Sequence, residues 1–221
     1  MRLVRIWFDK TGEAKYISHL DLMRCFTRAI RRARIPLWYT EGFNPHPYMQ
    51  FSLPLSLGMQ SVCESVDIRI EGDMSDEELL TALKEVMPVG IDIKKITTPK
   101  FDPKYIAYGD FYITFKDVPD KAKMLKILGD VFAADRFIVE KLGKKGRHKV
   151  MKEINLKEYI RHSYVKETET DVIVNLILPA GSTTNINPSL FSDKIVEIYG
   201  ENLAVDILRN RLLLDNMKEF K

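Results

Sequence analysis

Apolar and polar positions follow two different periods along the chain, and together they predict alternating strands and helices. Residues 2 to 9 alternate with the period of two that is typical of a half-buried strand. Apolar side chains then recur at helical spacing, at Leu22, Phe26, Ala29, Ile30 and Ala33. Ser18 and Asp21 have the spacing of a capping box, so this helix is predicted to begin at about His19.

The next elements complete a first structural unit. Residues 37–40 and 49–53 have the pattern of extended segments, and a strand is predicted from Val62. A helix capped by Ser75 follows, and residues 90–99 predict a closing strand. The order strand, helix, strand, strand, helix, strand is that of a ferredoxin-like βαββαβ unit.

The same order of elements returns after a proline-bearing stretch. Strands are predicted at 110–115, 136–142, 163–181 (a long strand or hairpin arm) and 204–214, with helices at 121–132 and 187–200. Asn187 is the predicted N-cap of the second of these helices. The predicted fold class is α+β, with two tandem ferredoxin-like units that have antiparallel sheets. The predicted boundaries are residues 1–98, a linker at 99–109, and residues 110–221.

Composition limits the class of protein. The chain has 221 residues, is 45% hydrophobic and carries a formal net charge of only +3. No apolar run is long enough to span a bilayer and the N-terminus alternates like a strand, so a cytoplasmic location is expected. Cys25 and Cys63 have no metal-ligand spacing, and we expect neither a metal nor a cofactor. With so little net charge, affinity for nucleic acid requires local clusters of basic residues.

One such cluster is the polar side of the first predicted helix. Helical projection places four arginines opposite the apolar stripe, at Arg24, Arg28, Arg31 and Arg32. Like charges three or four residues apart repel one another, and few acidic residues are close enough to compensate. This pattern favours an anionic ligand. The alternative is an ordinary solvated face in which the last arginines complement the helix dipole.

The segment GFNPHPY follows this helix and cannot be helical, because prolines 45 and 47 lie too close together. We predict that it places Phe43, Asn44, His46 and Tyr48 beside the arginines. Aromatic groups next to cations suit single-stranded or looped RNA, whose bases stack while its phosphates pair. A rigid loop whose aromatic residues close one end of the core is the alternative.

A second basic cluster surrounds the glycines at 143 and 146. Its predicted RNA-binding residues are Lys144, Lys145, Arg147 and Lys149, in a basic hairpin. Solvated surface charge is the alternative interpretation.

Catalytic motifs are scarce. The sequence has no phosphate-binding glycine loop, no GxSxG elbow and no histidine pair at metal spacing. His46 is the candidate general base if the protein is an enzyme, as in a metal-independent ribonuclease. His19 is a weaker candidate, because it faces the apolar side of its helix and a structural role is favoured.

Several of these motifs together carry a family resemblance. The run SHLD, the Arg-Arg pair and GFNPHP are similar to a radical-SAM-linked family of bacterial proteins, specifically over about residues 10 to 72. KEINLKEYI at 152–160 resembles the family's second recurring segment, although Asn155 stands where an Asp is usual. The resemblance implies a separate cobalamin-type radical SAM partner and a role in RNA modification or ribosome biogenesis. This chain lacks the CxxxCxxC motif with which radical SAM proteins hold their cluster, so it cannot hold that cluster itself.

The tandem architecture also resembles the CRISPR repeat-processing endoribonucleases, tandem ferredoxin-like proteins that process RNA. Their glycine-rich loop is replaced here by PAGSTTNINPS, which has a single glycine. The leading hypothesis is therefore an RNA-binding accessory protein that presents tRNA or rRNA to a radical SAM enzyme. The alternatives are a metal-independent endoribonuclease and a protein-only docking module.

Overall fold

The computed structural model describes residues 1–145, 148–181 and 183–221, with the side chains of 142–149 outside the description. The chain forms two compact units, Met1–Ile106 with Arg209–Lys221, and Ala107–Leu208. This division differs from the predicted boundaries at the C-terminus. The last segment returns to the first unit because Leu212 and Phe220 pack there with Trp7.

The first unit is ferredoxin-like. Its strands are β1 (Arg2–Lys10), β2 (Met49–Phe51), β3 (Gln60–Ile70) and β4 (Ile91–Thr97), and its helices are α1 (His19–Arg32) and α2 (Asp76–Val86). Strand β1 lies between β3 and β4 and is antiparallel to both, and β2 pairs antiparallel with β3. The order β4-β1-β3-β2 is the one that the βαββαβ pattern predicts.

Helix α1 begins where its capping signal predicts. The Ser18 side chain accepts a hydrogen bond from the Asp21 backbone N–H at 3.1 Å, and His19 is the first helical residue. The buried residues of the helix are Leu22, Phe26, Ala29 and Ile30. Phe26 packs on Phe8 of β1 with ring centroids 4.8 Å apart, so the apolar stripe anchors the helix on the sheet. The polar side of α1 consequently faces outward.

The two faces of the first sheet have different coverings. Val4, Ile6 and Phe8 point into the core beneath α1 and α2. Alternate residues of β1, including Arg5 and Trp7, point to the opposite face, which the C-terminal segment covers. Only side chains on the helix-covered face of this sheet can therefore lie near the arginines of α1.

The second unit repeats the ferredoxin-like order with an inserted hairpin. Its helices are α3 (Lys121–Ala133) and α4 (Ser189–Tyr199), and its strands are β5 (Ile106–Phe115), β6 (Ile138–Lys145), β7 (His148–Asn155), β8 (His162–Glu167), β9 (Val172–Pro179) and the first part of β10 (Val205–Leu214). From Arg209 onward β10 belongs to the first unit. Strand β9 is antiparallel to β5 and to β8, and the order is β10-β5-β9-β8. Strands β6 and β7 form a separate two-stranded sheet.

Some predicted elements of this unit are corrected. The predicted strand 136–142 belongs to the separate β6–β7 hairpin, and the predicted stretch 163–181 divides into β8 and β9. A turn joins those two strands, in which the Thr168 N–H donates to the Asp171 carbonyl at 2.9 Å. Strand β5 begins inside the predicted linker.

The start of α4 is also shifted. Pro188 is the N-cap, and the Asn187 side chain, the predicted cap, instead accepts the Ser189 N–H at 3.0 Å. Within the part of the chain that the structure describes, no helix is long and apolar enough to cross a membrane.

Candidate functional site

The polar side of α1 forms one wall of a surface groove of about 820 Å³. All four predicted arginines line it, at Arg24, Arg28, Arg31 and Arg32, together with Asp21, Cys25 and Pro88. The arginines are exposed, because they lie opposite the stripe that packs on the sheet. The structure therefore brings together the cluster that helical spacing predicted.

The four arginines differ in their partners. Arg24 pairs with Asp21 at 3.2 Å, one turn earlier in α1. Arg32 donates from Nη2 to the carbonyl of Val86, so it caps the C-terminal end of α2. Among the described residues, the guanidinium groups of Arg28 and Arg31 make no hydrogen bond or ion pair. These two guanidinium groups remain available to an external anion.

The other groove residues have perturbed acid–base properties. The hydrogen bond from Ser18 and, after it, that from Arg24 lower the pKa of Asp21, so this carboxylate stays charged. Burial raises the pKa of the Cys25 thiol, while the charges of Arg32 and Arg28 oppose this effect. The lining of the groove thus includes a half-buried thiol and a charged carboxylate beside the arginines.

Tyr48 is held on the other side of the first sheet. The Arg69 guanidinium lies 4.5 Å from the Tyr48 ring centroid and 5.1 Å from that of Trp38. Arg69 alternates along β3 with Ile68 and Ile70, which are buried beneath the helices, so it points to the helix-free face. The structure therefore does not bring Tyr48 to the arginine groove.

The rest of the loop is exposed and does not line the groove. His46 Nδ1 lies 3.0 Å from the Thr40 hydroxyl and 3.2 Å from the Asn44 carbonyl oxygen. Both atoms lie within hydrogen-bond distance of Nδ1, so the Thr40 hydroxyl and the Asn44 carbonyl hold the imidazole ring in place. The Phe43 ring is fully exposed. The loop thus displays an imidazole and an unpacked aromatic ring, and neither lines the arginine groove.

The predicted basic hairpin coincides with β6 and β7, where Lys144 pairs with Lys149 across the strands. Arg147 lies outside the described residues, and so do the side chains of Lys144, Lys145 and Lys149. Their RNA-binding role stays a prediction.

Comparison with protein families matches residues 3–188 to DUF2344, described as an uncharacterized protein conserved in bacteria. The chain belongs to this family. The prediction of a conserved bacterial family, made from residues 10–72, is confirmed. The link to a radical SAM protein stays a prediction. No curated protein matches the DUF2344 chain.

The fold of the DUF2344 chain also resembles a solved structure described as a Cbf5-Nop10-Gar1 complex. The TM-score is 0.52 at 10% sequence identity, and the match covers 95% of this chain and 48% of that one. The chain therefore spans about half the length of this structural relative. At this identity the likeness concerns the fold alone.

Sequence reasoning missed a buried polar cluster in the first unit of this DUF2344 protein. Glu64 of β3 accepts two hydrogen bonds from Arg209, at 3.1 and 2.5 Å, and both side chains are buried. Lys10 is buried beside them, with a 3.4 Å hydrogen bond to the Lys15 carbonyl. Charged residues inside otherwise apolar strands are the signal that points to such a cluster.

His19 borders this cluster at the start of α1. Its ring makes an edge contact with Phe51 at 5.2 Å between centroids. Burial lowers the pKa of His19, with Glu64 opposing the shift and Lys10 adding to it. The contact supports the structural role that the apolar side of the helix favoured.

We expect His19 to make the free energy of unfolding fall as the pH decreases below its ordinary pKa of 6.5. The unfolded chain binds a proton there while folded His19, with its lowered pKa, does not, so acidification favours unfolding. Urea unfolding from about pH 7.5 to about pH 5 should show this decline, and a His19→Gln variant should decline less steeply. Identical pH profiles for the two proteins would contradict the prediction.

Proposed function

We propose that this DUF2344 protein is an RNA-binding accessory protein that holds tRNA or rRNA through the arginine groove for a separate radical SAM enzyme. The observation that carries the proposal is the pair Arg28 and Arg31, exposed in the groove with no direct ion pair to an acidic side chain among the described residues. The proposed context is RNA modification or ribosome biogenesis.

The electrostatics of α1 support an anionic ligand. Arg28 and Arg31 are neighbours at helical spacing, so their repulsion weakens the free helix, and a bound anion relieves it. Guanidinium groups bind phosphate oxygens through paired hydrogen bonds, which favours a phosphate ligand. Arg24 and Arg32 add charge to the same groove even though each also has an internal partner.

The partner enzyme is proposed from the resemblance of residues 10–72 to radical-SAM-linked proteins. The structural relative is a Cbf5-Nop10-Gar1 complex, and an accessory role within an assembly agrees with this. A protein-only docking module assigns the same arginines to an acidic protein surface. The RNA experiment below separates the two.

Reversing both charges, in Arg28→Glu with Arg31→Glu, is expected to weaken binding to bulk tRNA and rRNA fragments by about 100-fold. Two phosphate contacts disappear, so the slope of log affinity against log salt should fall by about 2. Fluorescence anisotropy across a salt series measures both quantities.

A matched control carries the same charge change elsewhere. Lys100→Glu with Lys126→Glu alters two exposed lysines outside the groove, and it should keep nearly all of the affinity. Circular dichroism verifies that each variant is folded. If the groove variant and the control lose affinity equally, net charge alone is responsible and the groove is not the binding surface. Absence of RNA binding by the unaltered protein would favour the protein-only module.

A further inference from the structure

The composition of the groove narrows the class of RNA. Its lining consists of four arginines with Asp21, Cys25 and Pro88, and none of these side chains is aromatic. Single-stranded RNA is usually held by aromatic side chains on which the bases stack, at about 1–3 kcal/mol per base. The groove offers a ligand charge and hydrogen bonds, but no aromatic surface for stacking.

The aromatic residues around α1 are engaged elsewhere. Phe26 belongs to α1 but is completely buried against the sheet, on the side away from the groove. Trp38 and Tyr48 surround Arg69 on the helix-free face. The exposed ring of Phe43 is not part of the lining. No described aromatic ring therefore lines the groove.

The arginines are arranged to follow a backbone. Arg24, Arg28 and Arg31 extend over about 10 Å of the helix axis at 1.5 Å per residue. A nucleic-acid duplex carries the phosphates of two strands along one axis, a higher charge density than a single strand offers. Proteins also recognise double-stranded RNA mainly by shape and by backbone contacts, without reading bases.

We infer that the arginine groove binds the sugar-phosphate backbone of double-stranded RNA, independently of its sequence. The inference rests on the proposed function, and it replaces the base-reading role that the sequence assigned to the loop beside the arginines. A helical stem of a structured RNA is thus the part held on α1. The bases of any single-stranded region are left free for another protein.

The experiment compares a non-self-complementary RNA strand with the duplex it forms with its complement, roughly 16 base pairs long. Fluorescence anisotropy should show the duplex bound at least tenfold more tightly than the single strand. The Arg28→Glu, Arg31→Glu variant should lose most of this difference, whereas the Lys100→Glu, Lys126→Glu control should keep it. Duplexes of unrelated sequence should bind equally well.

Cys25 gives a second readout located in the groove. Burial raises the pKa of Cys63 to about 12, so alkylation at about pH 8 reports mainly on Cys25. The duplex should protect Cys25 from alkylation, and the single strand at equal concentration should not. Tighter binding or stronger protection by the single strand would overturn the inference while leaving RNA binding intact. Failure of both RNAs to bind would overturn the proposed function, and the inference with it.

Discussion

Substitution of Asp67 by alanine is expected to lower the free energy of unfolding of the first unit by about 3–5 kcal/mol. Arg5 donates to Asp67 from Nε at 2.7 Å and from Nη2 at 2.8 Å, and both side chains are buried. Removing the carboxylate leaves a guanidinium group in a site without solvent. It keeps the Phe101 carbonyl at 2.8 Å and the Phe220 ring at 4.4 Å, and neither of these carries a full negative charge.

Tryptophan fluorescence during urea unfolding measures this effect directly. The chain has 2 tryptophans, Trp7 and Trp38, and both belong to the first unit. A double variant, Arg5→Met with Asp67→Leu, removes both charges and should recover most of the lost stability, since apolar replacement of a buried pair is often neutral. An Asp67→Ala loss below about 1 kcal/mol would show that Arg5 is solvated after all.

The same pair shows where sequence patterns stop being informative. Alternation in residues 2–9 correctly predicted β1, but it could not show that the face carrying Arg5 is covered. That cover comes from Phe220, more than two hundred residues later, and distant packing of this kind leaves no local period. Helix α1 is the opposite case, because Ser18 and the apolar stripe fix its start and its buried side within one short segment.

The candidate site likewise has one part that the sequence predicted and another that it could not predict. The arginine cluster was predictable because all four residues lie on one helix, where spacing alone determines the face. The position of Tyr48 was not predictable, since it depends on how β2 pairs with β3. That pairing determines the face of the sheet on which the Tyr48 side chain lies. In the second unit, apolar alternation marked 136–142 as a strand but could not say that β8 would be the one to pair with β9.

Substitution of Glu64 by leucine is expected to have the largest effect, a loss of at least about 3–5 kcal/mol in the free energy of unfolding. Glu64 is the carboxylate that compensates Arg209, a fully buried cation whose pKa it raises against the effect of burial. It also stabilises the charged form of Lys10, whose pKa is lowered by burial. One substitution therefore leaves two buried cations without compensation.

Double and triple variants test whether Lys10 shares this carboxylate. Glu64→Leu with Arg209→Met removes the hydrogen-bonded pair but leaves Lys10, so it should recover less stability than the equivalent double variant at Arg5 and Asp67. Adding Lys10→Met should recover the remainder, because no buried charge then lacks a partner. If the Glu64–Arg209 double variant alone restores full stability in urea unfolding, Lys10 does not depend on Glu64, and the cluster reduces to an isolated ion pair.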